Sequence, residues 1–195
     1  SEADPYVQSA KRAYAFGTDE NVRVSHSWSV DEGSHSWTEP PEPDQDRRVW
    51  ALIELWLATG DSTYMTELES EEIGEAFFDS VGQLWWKGLI NQAVSVAIEG
   101  DSMPSGWGDE ALRQITGLAQ TFLDSYETHA YRRIWYSPDH GYFEFTGWGN
   151  GLYIPTRSLI AAWFLTGDEG YREALLVGND FHMGANPLGR VHTTG

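Results

Sequence analysis

Aromatic side chains offer the most evident chemistry in this sequence. The 195 residues include 10 Trp, 9 Tyr and 8 Phe. Such a load indicates either a large helical core or a set of platforms for sugar rings, because an indole face can bury apolar C–H groups while its N–H stays free. A Ser-His-Ser-Trp segment occurs twice, at residues 25–28 and 34–37. Residues 21–43 show no helical pattern, and a loop of about twenty residues with its own aromatics is more often functional than accidental.

Several other kinds of site find no support. The chain has no cysteine, which excludes disulfides, thiolate zinc sites and cysteine nucleophiles. No serine lies in a strand-to-helix elbow, and the glycines at 147, 149 and 151 follow no predicted strand, as a nucleotide-binding loop requires. Asp101, Asp109 and Glu110 flank a Gly/Ser loop and could suit calcium, although helix caps and solvated acids explain them better. We therefore predict no metal site and no cofactor, with a structural calcium left open.

The charge balance argues against two classes of partner. Lys plus Arg number 12 and Asp plus Glu number 30, a formal net charge of −18. This charge repels phosphate backbones and anionic lipids, so we predict no nucleic-acid partner and no membrane association. No apolar run reaches membrane-spanning length. An acidic, lysine-poor surface fits a salt-rich or extracellular setting. The start at Ser1, without a signal-peptide core, predicts a processed product or an internal segment.

Hydrophobic periodicity predicts a chain made of helices. The most regular pattern covers residues 109–128, with a stripe formed by Leu112, Ile115, Ala119, Phe122, Leu123 and Tyr126. Pro155 suits the first turn of a helix that runs to Thr166. Further helices are predicted at 5–16, 45–59, 61–69, 84–98 and 168–182, whereas 71–82 is ambiguous.

One helical hairpin is used twice. The segment Trp-Leu-Ala-Thr-Gly-Asp at 56–61 corresponds to Trp-Phe-Leu-Thr-Gly-Asp at 163–168. In each, glycine takes the left-handed position that closes one helix, and aspartate caps the next helix at its positive end. Short turns at one end of the helices and long aromatic loops at the other describe an α/α barrel, in which the long-loop face carries the site.

These hairpins, together with three further phrases, resemble family 9 glycoside hydrolases, the cellulase-type (α/α)6 barrels. The phrases are Gln-Asp-Arg-Arg-Val-Trp at 45–50, the aromatic and glycine-rich run at 141–153, and Met-Gly-Ala-Asn-Pro-Leu-Gly-Arg at 183–190, followed by Thr194-Gly195. Residues 71–135 match poorly. The resemblance implies an all-α fold, with residues 1–195 forming a single, incomplete segment of one (α/α)6 catalytic barrel.

The resemblance also implies an inverting β-glycosidase that acts on a cellulose-like polysaccharide. In such enzymes one Asp activates water and a Glu protonates the leaving oxygen, with the two carboxyls about 6.5–9.5 Å apart. In the family these residues lie upstream and downstream of the phrases seen here, so no catalytic residue is predicted within the chain. Enzymatic activity is expected only with the rest of the barrel, in the same chain or an associated one. The expected location is extracellular or periplasmic.

Substrate contacts are the roles that the resemblance carries onto this sequence. Trp148 lies where the family has a sugar-stacking Trp, and Tyr153 keeps the aromatic residue that follows it. Trp37 resembles a Ser-Trp step before the Gln-Asp helix, and the neighbouring His35 could bond a sugar hydroxyl. Leu152 departs from the family, which usually has an Arg there, and this puts plain cellulose in doubt because a forked donor is lost.

Two other functions stay open from the sequence. The segment could be a non-catalytic carbohydrate-binding or structural piece of a barrel. It could also belong to another α/α-barrel enzyme, such as a lyase or an unsaturated-glucuronide hydrolase, although the strongly negative charge disfavours an anionic substrate. For the β-glycan hydrolase and for the carbohydrate-binding piece alike, the expected partner is a β-linked oligosaccharide or polysaccharide.

Overall fold

A computed structural model describes residues 4–19, 26–30, 35–39, 45–81, 89–128, 130, 132, 150–184 and 189. Side chains are described in these ranges except in the two strands and at 45–47, 71–72, 80, 150–155 and 181–182. The chain divides into two compact units, Ser1–Phe77 and Phe78–Gly195. None of the described helices is both long enough and apolar enough to cross a bilayer.

The first unit is built around one central helix. Its elements are α1 (Asp4–Gly17), β1 (His26–Val30), β2 (His35–Glu39), α2 (Gln45–Thr59) and α3 (Ser62–Leu68), followed by α4 (Glu71–Val81), which runs into the second unit. Helix α2 packs against both α1 and α3. Its residues Val49, Leu52 and Ile53 are fully buried, whereas α1 has no buried residue. The core of this unit is therefore formed by α2 together with Leu68 and Phe77, which are also fully buried, and α1 lies at its surface.

Strands β1 and β2 form an antiparallel hairpin, the one sheet within the part of the chain that the structure describes. The register pairs Trp28 with Trp37, His26 with Glu39 and Val30 with His35. The sequence pattern predicts a non-helical segment here but not this pairing. The two Ser-His-Ser-Trp copies thus contribute to the two strands of one ribbon.

The second unit contains α5 (Ile90–Ile98), α6 (Trp107–Thr128), α7 (Asn150–Thr166) and α8 (Glu169–His182), with a 3₁₀ turn at Gly100–Ser102 before α6. Helix α6 packs against α5, α7 and α8. Its buried residues recur every three or four positions and face one side, as an amphipathic helix requires. They are Trp107, Ala111, Ile115, Ala119, Phe122 and Tyr126.

Three details of the helices differ from the sequence-based predictions. The buried stripe of α6 runs through Ala111, whereas Leu112 is 36% exposed, because the face that is buried depends on the neighbouring helices. Helix α7 begins at Asn150, so Pro155 lies beyond its first turn. The ambiguous segment at 71–82 is helical over Glu71–Val81.

The duplicated hairpin turn has the predicted geometry in both units. Gly60 and Gly167 have positive φ of 62° and 71°, and each amide donates to the carbonyl of the Trp four residues earlier, at 2.8 Å in both turns. Asp61 accepts from the amide of Thr63 at 3.1 Å. Asp168 accepts from the amide of Gly170 at 2.8 Å. The same local sequence therefore builds the same tight connection twice.

Candidate functional site

The predicted sugar-binding residues lie in three places. Trp148 falls outside the described residues. Tyr153 lies in the first turns of α7, where the structure describes the backbone but not the side chain. His35 and Trp37 lie two positions apart on β2, again with the backbone alone described, so the backbone places these two on the same face of the ribbon.

The hairpin places further residues next to this pair. Trp28 is directly opposite Trp37 in the register, and His35 is opposite Val30. Residues opposite one another in an antiparallel pair share one face. The first Ser-His-Ser-Trp copy is thereby brought beside the second, which the spacing of the copies along the chain does not reveal.

These residues occupy equivalent places in the order of elements along the chain. The hairpin precedes the N-terminus of α2, and the Gly60 turn follows the C-terminus of that helix. Tyr153 lies near the N-terminus of α7, which ends at the corresponding Gly167 turn. In each unit, the candidate residues thus precede, or lie in the first turns of, the helix that ends at the tight turn.

A polar cluster that the sequence analysis missed joins three helices of the first unit. Arg48 on α2 donates from Nε to Oε1 of Glu67 on α3 at 2.9 Å, and its Nη2 contacts the same oxygen. Tyr14 on α1 donates from its hydroxyl to this oxygen at 2.8 Å. Burial raises the pKa of Tyr14 to about 12, although the hydrogen bond with Arg48 acts in the opposite direction. Bonds to Tyr14 and Glu67 raise the pKa of Arg48 further above its already high value.

A groove of about 670 Å³ lies between α1 and α2. Its walls are mainly small or apolar, and the lining includes Tyr6, Ala10, Tyr14, Arg48, Glu54 and Leu55. Because Arg48 and Tyr14 are already bonded to Glu67, this cluster itself offers the groove no nucleophile or free base. Its chemistry is that of a structural tie rather than of a reaction centre.

Of the acidic residues beside the 3₁₀ turn, Glu110 pairs with side chains of its own helix. Glu110 accepts from Nε of Arg113 at 2.6 Å and from Gln114 at 2.9 Å, and the Arg113 bond holds the pKa of Glu110 below its usual value. Among the described residues, no three His, Cys, Asp or Glu side chains are grouped closely enough to hold a metal ion. The prediction of no metal site, with a structural calcium left open, stays a prediction.

Comparisons with known proteins agree in pointing to one family. The family model for glycosyl hydrolase family 9 matches residues 1–195. Endoglucanase C of Cellulomonas fimi is 27% identical over 153 residues, which cover 77% of this chain and 13% of that protein. The chain thus spans about one eighth of the length of this curated relative.

Solved structures show the fold. The chain superposes on the crystal structure of the family 9 endoglucanase J30 with a TM-score of 0.59 and 18% identity, covering 83% of this chain and 29% of that one. A metagenome-derived family 9 endoglucanase gives a TM-score of 0.60 and 22% identity, over 79% of this chain and 27% of that one. The predicted fold class is confirmed: within the described residues the elements are helical apart from the one hairpin, and the chain forms part of an (α/α)6 barrel. With its match over residues 1–195, the chain belongs to glycosyl hydrolase family 9.

Proposed function

We propose that this chain forms part of the barrel of an inverting β-glycan hydrolase that acts on a cellulose-like polysaccharide. The observation that carries the proposal is the family match over the whole of residues 1–195. The endoglucanase name of the curated relative supports a β-glucan substrate. In this proposal the chain supplies barrel wall and aromatic sugar-binding residues, and the remaining part of the barrel supplies the catalytic Asp and Glu.

Trp148, Tyr153, Trp37 and His35 are the substrate-binding residues of this proposal. Indole and phenol rings stack on sugar C–H faces and leave their polar edges for solvent or hydroxyl groups. Leu152, in place of the Arg that the family usually has, leaves the substrate with one forked donor fewer. We therefore expect a soluble or mixed-linkage β-glucan to be a better substrate than crystalline cellulose.

The acidic composition supports the remaining parts of the proposal. A net charge of −18 favours a neutral glycan over an anionic one and disfavours nucleic acid and membrane surfaces. We propose an extracellular or periplasmic location, where a polymer too large to enter a cell can be degraded. No cofactor is needed for this chemistry, since water and two carboxyl groups suffice.

The test uses the complete natural protein and a panel of neutral β-glucans: barley β-glucan, hydroxyethylcellulose and crystalline cellulose, with polygalacturonate as the anionic control. We expect reducing ends from the β-glucans, and an α-anomer as the first product by NMR, since the reaction inverts. A β-anomer as first product would contradict the mechanism. Binding of these glucans without hydrolysis would favour the non-catalytic alternative instead.

Two tryptophans, one that precedes α7 in the chain and one near the end of that helix, test the site residues. Trp148 precedes the N-terminus of α7, whereas Trp163 lies near its other end, where Nε1 donates to Glu169 at 3.3 Å. Trp148→Ala is expected to lower kcat/KM on β-glucan by about tenfold or more, because a stacking surface of this size is lost. Trp163→Ala should leave kcat/KM unchanged. Equal losses in both variants would indicate a general effect on the helix.

A further inference from the structure

The two copies of the Ser-His-Ser-Trp segment pair with each other in the β1–β2 hairpin. The register sets His26 opposite Glu39, Trp28 opposite Trp37 and Val30 opposite His35. Between these pairs, Ser27 is opposite Thr38, and Ser29 is opposite Ser36. Two copies that lie nine residues apart in the sequence are thus parts of one two-stranded unit.

The register divides the ribbon into two unlike faces. Because successive residues of a strand alternate between faces and opposite residues share one, the two tryptophans lie on the same face. The face with the tryptophans also has His26, Val30, His35 and Glu39, whereas the other has Ser27, Ser29, Ser36 and Thr38. We call the first of these the tryptophan face. Backbone geometry alone therefore separates the tryptophan, histidine and glutamate residues from the small hydroxyl residues.

We propose that the tryptophan face is a glycan-binding surface, in which Trp28 and His26 act together with Trp37 and His35. This inference rests on the proposed function, in that its ligand is the polymer on which the barrel acts. It adds the first copy of the repeat to the site and treats the ribbon as one unit.

The residue types of this face match the chemistry of a neutral sugar ring. The register brings two tryptophans to one position of this face, and indole is a side chain that stacks on the C–H face of a pyranose. The pairs on either side of them follow along the strands at about 7 Å. Each of these pairs includes a histidine, and one includes Glu39, so residues that can bond ring hydroxyls precede and follow the tryptophan pair along the ribbon.

Charge selects the kind of glycan. Glu39 lies on the tryptophan face, and the chain as a whole carries −18. A uronic acid or a sulfated sugar would be repelled, whereas an uncharged β-glucan would not. The ligand class is therefore a neutral β-linked polysaccharide.

Trp28 provides the decisive test, made on the complete natural protein. Trp28→Leu keeps an apolar side chain but removes the ring, and Trp28→Tyr keeps a ring. Ser29→Ala, on the opposite face of the same strand, is the matched control. Retention on insoluble cellulose at 4 °C measures binding, polygalacturonate is the anionic probe, and turnover of a short aryl β-cellobioside reports the catalytic machinery.

Trp28→Leu and Trp37→Leu are each expected to weaken retention on cellulose by about tenfold, as for the loss of one buried aromatic side chain. Trp28→Tyr should restore most of the retention, and Ser29→Ala should match the wild type both in retention and in turnover of the aryl cellobioside. If Trp28→Leu binds cellulose as well as the wild type, or if Trp28→Tyr is as weak as Trp28→Leu, the inference is overturned. Preferential binding of polygalacturonate would overturn it as well.

The same experiment separates this inference from the proposed function. If the wild type hydrolyses β-glucan but Trp28→Leu loses no retention, the proposed function is supported and the glycan-binding role of the tryptophan face is overturned. If the wild type is retained through Trp28 but hydrolyses none of the glucans, the face stands and the hydrolase proposal fails. A wild type that neither binds nor hydrolyses would overturn both.

Discussion

Arg48 connects three helices of the first unit through one carboxylate oxygen. Its guanidinium and the hydroxyl of Tyr14 both donate to Oε1 of Glu67, and the Arg48 and Glu67 side chains are only 33% and 28% exposed. A partly buried pair of this kind is harder to disrupt than a surface ion pair, because removing one partner leaves the other desolvated. The cluster therefore holds α1, which has no buried residue, against α2.

Tyr14→Phe should alter how stability depends on pH. The folded protein raises the pKa of Tyr14 from 10.0 to about 12, so the stabilisation is fully present below pH 10 and is lost as pH rises towards 12. At pH 8 the variant should be less stable by roughly 1 kcal/mol, the value of one hydrogen bond. The two stability curves should then converge above pH 10, as measured by urea unfolding at each pH.

Tyr126 and Tyr171 also have raised pKa values, mainly through burial. Both remain in the Tyr14→Phe variant, so the difference between the two proteins isolates Tyr14. A gap between the curves that stays constant from pH 8 to the alkaline end would contradict the assignment.

Gly60 and Gly167 should respond alike to substitution by alanine. Both have φ in the left-handed region, and a Cβ would meet nothing within 4 Å at either position. The cost is therefore one of backbone conformation alone, about 1–2 kcal/mol in each variant. Gly117, exposed within α6 and also unobstructed, is the control: Gly117→Ala should stabilise the protein by about 0.5–1 kcal/mol. If Gly60→Ala unfolds at the same denaturant concentration as the wild type, the turn assignment is wrong.

The start of α6 and the 3₁₀ turn before it approach closely through two glycines. A Cβ on Gly108 would lie 2.8 Å from Cα of Gly100, and a Cβ on Gly100 would lie 3.3 Å from Cα of Gly108. Because the obstruction is backbone, Gly108→Ala should destabilise the protein by about 1–3 kcal/mol, and Gly100→Ala by less. Thermal unfolding of both, with Gly117→Ala as the helical control, checks this order. A reversed order would mean that the two segments do not cross in this way.

Local signals predicted the helices and their connections well. The Gly60 and Gly167 turns follow from residues that are adjacent in sequence, since glycine and aspartate act within one turn of the helix. The tie between Tyr14, Arg48 and Glu67 could not be predicted, because Arg48 is 34 residues from Tyr14 and 19 from Glu67. The same holds for the choice of Ala111 over Leu112 in the buried stripe of α6, which depends on packing partners from other helices.

The candidate site was predictable only in part for a similar reason. The Ser-His-Ser-Trp repeat is visible in the sequence, yet its antiparallel pairing is not, because pairing depends on strand register. The family is confirmed over residues 1–195, but the roles of Trp148, Tyr153, Trp37 and His35 stay predictions. Since the chain covers 27–29% of the solved endoglucanase chains compared above, the complete barrel is the proper object for testing those roles.

The charge of the whole chain should make its stability depend on salt. With 12 basic and 30 acidic residues, carboxylates repel one another over distances that dissolved ions can screen. Raising NaCl from 0.01 to 0.1 M shortens the screening length from about 30 Å to about 10 Å. The thermal unfolding midpoint at pH 7 should therefore rise, because self-repulsion destabilises the compact state.

The control for this prediction is the same salt series near pH 4.5, the isoelectric point of the sequence. There the net charge approaches zero and the rise in midpoint should largely disappear. An equal rise at both pH values would show that salt acts through something other than screening. A fall at pH 7 would show that the attraction within ion pairs such as Arg48–Glu67 outweighs the repulsion among the excess carboxylates. The acidic residues would then destabilise the fold less than the net charge indicates.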